Sequence, residues 1–164
     1  MPTSAASIRV IDELLRRPDW RQKASELAAQ NDLKALNGYV LEALRFNPHN
    51  PLQLRWCAGD FTFESKNLVS AGSTVVAGTL GAMFDPQVFV EPNTFDPNRD
   101  QSLYLHYGYG MHACQGRYIN GLQVTTLVGG LLKLKNLRYA SGSRGRVFFD
   151  GPFPDRLVLD FDAT

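Results

Sequence analysis

The sequence predicts an α+β domain. Apolar residues at helical spacing fill the first third of the chain, short β-like runs between turn residues follow, and one more helical stretch precedes two last strand-like runs. With 164 residues the chain can bury one sizeable core and is too short for two comfortable ones. Hydrophobic residues make up 44% and charged residues 20%, the balance of a folded globular protein rather than a disordered one.

Each element has its own signal. Residues 8 to 30 read as helix, with Ile8, Ile11, Leu14 and Leu15 on one stripe. Pro18 breaks or restarts that helix, and Trp20, Ala24, Leu27 and Ala28 carry the second stripe. Leu33 to Phe46 is the next helix, with Leu36, Tyr39, Val40 and Leu44 on one side; Pro48 and Pro51 in NPHNP end it. Leu52 to Trp56, Phe61 to Glu64 and Thr74 to Gly78 read as short strands separated by AGD and SAGS turns. Residues 85 to 106 hold Pro86, Pro92 and Pro97 and form a long irregular segment whose aromatic content argues for order. Gln115 to Leu134 returns to helix, and Gly129-Gly130 within it marks close packing or a helix end. Arg146 to Phe149 and Leu157 to Phe161 are the final strands. No linker, repeat or low-complexity tract interrupts the chain, so residues 1–164 read as a single domain.

Charge and cysteine usage narrow the function classes. Net charge is +1, so nothing draws the chain toward nucleic acid. The N-terminus lacks the apolar run of a signal peptide, and no stretch approaches the ~20 apolar residues of a membrane helix. A soluble cytoplasmic protein is the expectation. The two cysteines, Cys57 and Cys114, are expected to remain unpaired there. The absence of CxxC, CxxCH and His-x-x-x-His elements argues against zinc and covalently attached c-type haem.

Cys114 lies in YGYGMHACQG, where a glycine-rich loop runs into a helix. Unpaired N–H groups and the partial positive charge at a helix start favour thiolate over thiol. Gly108, Gly110 and Gly116 let the backbone approach a flat cofactor without a Cβ clash. A thiolate so placed suits haem iron, onto which it pushes electron density. A lone cysteine near a helix start is also a common inert buried residue.

YGYGMHACQG resembles the cysteine-ligand loop of the cytochrome P450 family, an aromatic residue followed by G-x-G-x-[basic]-x-C-x-G. The resemblance implies haem b, with Cys114 as proximal iron ligand, Tyr107 at the usual phenylalanine position, His112 meeting a haem propionate and Gly116 as the close-packing glycine. Gln115 departs from the small or apolar residue usual there. Glu42-Ala43-Leu44-Arg45 resembles the E-x-x-R of the family's K helix, and FDPNR the meander motif, so Glu42, Arg45 and Arg99 are expected to form a buried triad that fixes the loop. Arg55 matches the second propionate partner, and the segment from Ala71 to Arg99 resembles the family almost throughout.

The family's distal half has no counterpart here. Residues 1 to 35 match only the end of the distal helix and its successor; Thr3, Asp12 and Glu13 lack the context of the oxygen-activating turn. An exposed haem face forgoes burial at about 25 cal/mol per Å², so a second polypeptide or a homodimer is expected to cover it. The implied function is a haem-thiolate oxidoreductase: peroxide-driven oxidation, hydroperoxide rearrangement or monooxygenation of an organic substrate. A haem sensor or carrier, an electron-transfer module and one subunit of a split enzyme stand as alternatives. The catalytic residues are unassigned, with His49 and His106 as distal candidates in principle. Arg117, Lys133, Lys135 and Arg138 suggest a basic face for a ferredoxin-like electron donor.

Overall fold

The computed structural model describes residues 3–64 and 66–163. Three helices open the chain: α1 (Thr3–Leu15), α2 (Pro18–Ala29) and α3 (Leu33–Phe46). Helix α1 starts five residues before its apolar periodicity does. Ala5, Ala6 and Ser7 are buried, and their small side chains hide the pattern from a hydropathy reading. Pro18 opens α2 from its first turn, where a missing N–H costs nothing and the fixed φ suits a helix. Asn31 takes the left-handed conformation after α2 (φ 59°), and Asp32 caps α3 by accepting the Ala35 N–H at 3.0 Å.

Strands β1 (Gln53–Trp56), β2 (Phe61–Phe63), β3 (Asn67–Val69) and β4 (Thr74–Ala77) follow, then the single turn of α4 (Thr79–Ala82). Helix α5 (Arg117–Leu132) precedes β5 (Arg138–Tyr139), β6 (Phe148–Asp150), β7 (Phe153–Arg156) and β8 (Leu159–Asp160). The strands form antiparallel pairs, β1–β4, β2–β3, β5–β8 and β6–β7.

The differences from expectation have local causes. β3 and β5 are too short to show alternation, and β7 contains Pro154, which a strand reading rejects. The run at 157–161 narrows to β8 because β5 offers only two residues to pair. Gln115 and Gly116 belong to the turn before α5 rather than to the helix.

One buried cluster draws on α1, α2, α3 and α5, with Val10, Leu14, Leu36, Leu44, Val124 and Val128 at its centre. Gly129 faces α3, where an added Cβ would stand 3.1 Å from the Leu36 side chain; close packing is therefore its role. Phe95 joins this cluster from the irregular segment, stacked on Trp20 at 4.8 Å between ring centroids. Among the described residues, no helix is long and apolar enough to cross a membrane.

Candidate cofactor site

The irregular segment runs from Met83 to Gly116, relieved by single 3₁₀ turns at Gln101–Leu103 and Gly110–His112. Its order comes from α3. Glu42 and Arg45, one helical turn apart, share a face and are both fully buried. Arg45 Nε donates to Glu42 Oε1 at 2.7 Å and Nη2 to Oε2 at 2.8 Å. The remaining donors go to backbone carbonyls: Met83 at 3.2 Å, Pro92 at 2.6 Å and Thr94 at 3.0 Å. Every N–H of the guanidinium is thus placed, the condition under which a buried charge is tolerated.

Glu42 also accepts the Asp96 N–H at 3.0 Å and the Tyr104 hydroxyl at 2.7 Å. Arg99 completes the expected triad, its Nε 3.5 Å from Glu42 Oε1, a charge contact longer than a hydrogen bond. Its other donors take the carbonyls of Val90, Glu91 and Thr94. A backbone with no ladder of its own therefore finds its acceptors' partners in two arginines.

The lock passes order to the cysteine loop. Tyr104 stacks on His106 at 5.2 Å, and His106 Nε2 lies 2.9 Å from the Leu41 carbonyl, which it meets as donor. Burial pulls His106 down to about 4, so the ring is neutral. Burial likewise lowers His49 to about 4. His106 packs between α3 and the segment, and His49 follows the end of α3.

Beyond His106 the chain turns sharply. Gly108 and Gly110 adopt positive φ, 73° and 64°, which a side chain would resist. The Cys114 N–H donates to the Tyr107 carbonyl at 2.8 Å and the Ala113 N–H to the Gly110 carbonyl at 3.1 Å. Gly116 caps α5, and a Cβ there would lie 3.9 Å from Cys114 Sγ. Both cysteines are free thiols; Cys114 is half-buried, and Cys57 Sγ faces the Gly59 carbonyl at 3.0 Å.

Arg55 is exposed on β1, donating to Gln53 Oε1 at 2.6 Å and the Leu54 carbonyl at 2.9 Å. Strand alternation puts Gln53 and Arg55 on one face. Gln53 Nε2 is 3.4 Å from a Cβ placed on Gly108, so that face looks onto the loop. His112 is exposed on the loop itself. Arg117 opens α5 and Lys133 follows its far end, about 24 Å away along 16 residues. Arg138 is paired with Asp162 at 2.8 Å, and Lys133 donates to Asn31.

Residues 9–151 match the family model for cytochrome P450. The chain belongs to the cytochrome P450 family. Its fold agrees with that of CalO2, at TM-score 0.80 and 25% identity over 98% of this chain and 40% of that one. It is 30% identical to a bifunctional dioxygenase (DOX)-epoxy alcohol synthase (EAS) of Fusarium oxysporum over 80% of this chain and 10% of that protein. It is 34% identical to psi-producing oxygenase A of Emericella nidulans over 79% of this chain and 12% of that protein. The chain thus spans about a tenth of the length of these two curated relatives. Membership implies haem.

Sequence reasoning missed Gln53, Tyr104, Asn120 and Thr3. Tyr104 brings a buried hydroxyl to Glu42, and Gln53 stands between Arg55 and the loop. For Asn120 a signal existed: a tyrosine in place of phenylalanine at 107 carries a hydroxyl that needs a partner, and Asn120 Oδ1 accepts it at 3.1 Å.

Proposed function

We propose that this chain forms the thiolate side of a haem-b oxidoreductase, with Cys114 as the iron's ligand. The observation that carries the reading is the loop itself: a half-buried free thiol whose residue's backbone N–H is tied to Tyr107, just before a 16-residue helix, with His112 exposed two positions away. The residues present fit the group. Thiolate is favoured at a helix start, the left-handed glycines spare the loop a Cβ at its turn, and the exposed Arg55 guanidinium and His112 ring N–H suit two propionates as donors.

In this reading Tyr107 and the helix start hold the sulfur in place. Arg55 and His112 receive the carboxylates. Glu42, Arg45 and Arg99 hold the segment that leads into the loop, so the ligand does not swing away. Bound there, the iron would supply the oxidation of an organic substrate, by peroxide-driven oxidation, hydroperoxide rearrangement or monooxygenation. The names of the two fungal relatives, an epoxy alcohol synthase and an oxygenase, fall in that range.

Apolar exposure favours a second component to the reading. Met111 is 96% exposed, Tyr109 86% and Ile119 68%, more large apolar surface around one loop than a lone chain keeps in water. We read this surface as covered by further polypeptide or a second copy of the chain, with a ferredoxin-like protein as electron donor.

The test is an absorption spectrum of the haemin-loaded protein, reduced and under carbon monoxide, with the mass in solution measured on the same sample. Cys114→Ala is expected to lose the thiolate signature, while Cys57→Ala keeps it. An unchanged spectrum in Cys114→Ala sinks the ligand assignment. A monomer binding haem tightly removes the covering component.

A further inference from the structure

Tyr107 holds the cysteine loop from both of its ends. Its carbonyl accepts the Cys114 N–H at 2.8 Å. Its hydroxyl donates to Asn120 Oδ1 at 3.1 Å, on the first full turn of α5. Asn120 is buried, and its amide donates to Thr3 Oγ1 at 2.8 Å. The Thr3 hydroxyl in turn donates to Gln123 Oε1 at 3.0 Å. The relay has one direction: Asn120 must present oxygen to the phenol and nitrogen to the threonine.

We propose that Tyr107 and Asn120 are positioning residues that brace the Cys114 loop against α5, and that Thr3 carries the brace on to the start of α1. The role in iron chemistry rests on the reading of Cys114 as ligand. A phenylalanine at 107 could fill the space but could not hold the ring, and with it the carbonyl that receives the Cys114 N–H, at a fixed setting. The donors and geometry around a ligating sulfur set its basicity and the potential of its metal. Because the phenol is committed to Asn120, the brace acts through placement of the loop.

The variants are Tyr107→Phe, which removes one oxygen, Asn120→Leu, and the two combined, all in a Cys57→Ser background. Thr125→Ala is the control: it deletes a hydrogen bond of the same kind further along α5, from Thr125 Oγ1 to Asn37 Oδ1 at 3.0 Å, in which no residue of the brace takes part. In the haem-free chain, Tyr107→Phe is expected to raise the rate of Cys114 alkylation by iodoacetamide about fivefold, the weight of one lost hydrogen bond on local opening. The combined variant is expected to react no faster than either single one, and Thr125→Ala at the parent rate. In the haemin-loaded chain, Tyr107→Phe and Asn120→Leu are expected to shift the reduction potential in the same direction, with Thr125→Ala unchanged. Additive effects of the two variants, an unchanged rate in Tyr107→Phe, or an equal effect of Thr125→Ala overturns the brace. If Asn120→Leu does not fold, Tyr107→Phe against Thr125→Ala decides alone. A parent protein that shows the alkylation pattern but no thiolate spectrum keeps the brace and removes the ligand reading.

Discussion

The helical core and the irregular segment are ordered by opposite means. In α1, α2, α3 and α5 most backbone groups find their partners within a turn, and the helices meet through apolar side chains such as Val10, Leu14, Leu36, Leu44, Val124 and Val128. Between Met83 and Gly116 the backbone has almost no regular ladder, and carbonyls at Met83, Val90, Glu91, Pro92 and Thr94 are satisfied by the buried side chains of Arg45 and Arg99. The first region is held by many small contacts and tolerates trimming. The second hangs on a few charged groups, and removing one leaves another charge buried without a partner. The difference teaches where a ligand loop can be made rigid without strands: beside a helix that lends it guanidinium donors.

The largest break in this contrast is Arg45→Leu. It strands the Glu42 carboxylate and several carbonyls at once, and about 3–5 kcal/mol of stability should go with it. Helical circular dichroism should persist at low denaturant while haem uptake falls. Equal loss of helix and haem uptake would mean that the two regions are one cooperative unit.

Gly38→Ala strikes the seam between them. A Cβ on Gly38 would stand 2.1 Å from the Pro97 carbonyl oxygen, so α3 or the segment must move. A cost of about 3 kcal/mol is expected in urea unfolding, at the upper end for overpacking because the obstacle is backbone. A near-neutral result would show the segment free to slide along α3.

The smallest effect sharpens the picture through pH. His106 and His49 titrate near 4 in the folded state because burial disfavours their charge, against about 6.5 in the unfolded chain. The unfolded state therefore binds more protons between those values. The stabilising contribution is present above pH 6.5 and is lost as pH falls toward 4. About 2 kcal/mol from the buried His106 should disappear between pH 7 and pH 5, with only a small addition from the partly solvent-screened His49, read from urea midpoints. A flat profile over that window would place the rings in water, and His106 could not then carry order from α3 to the loop.

Reading the sequence worked where the cause of structure is local. Pro18 opens α2, Asp32 caps α3, and the stripe of α3 shows its buried face within a few residues. It faltered where neighbours say little: the small-residue start of α1, the two-residue β5, and β7 with its proline. At the site, the glycines, Cys114 and the triad were legible as a motif, and Glu42, Arg45 and Arg99 do converge. How the basic residues lie was not legible: Arg117 and Lys133 stand at opposite ends of a 16-residue helix.

By itself the sequence determined the helices, the irregular stretch and the loop that brings a thiol to a helix start, since each depends on residues a turn or two apart. The tertiary structure decided what those residues touch. Glu42 meets Tyr104 across 62 positions and Asn120 meets Thr3 across 117, and the folded core alone creates such neighbours. Hydrogen bonds form between whatever groups packing brings within about 3 Å, and no spacing along a chain encodes that distance.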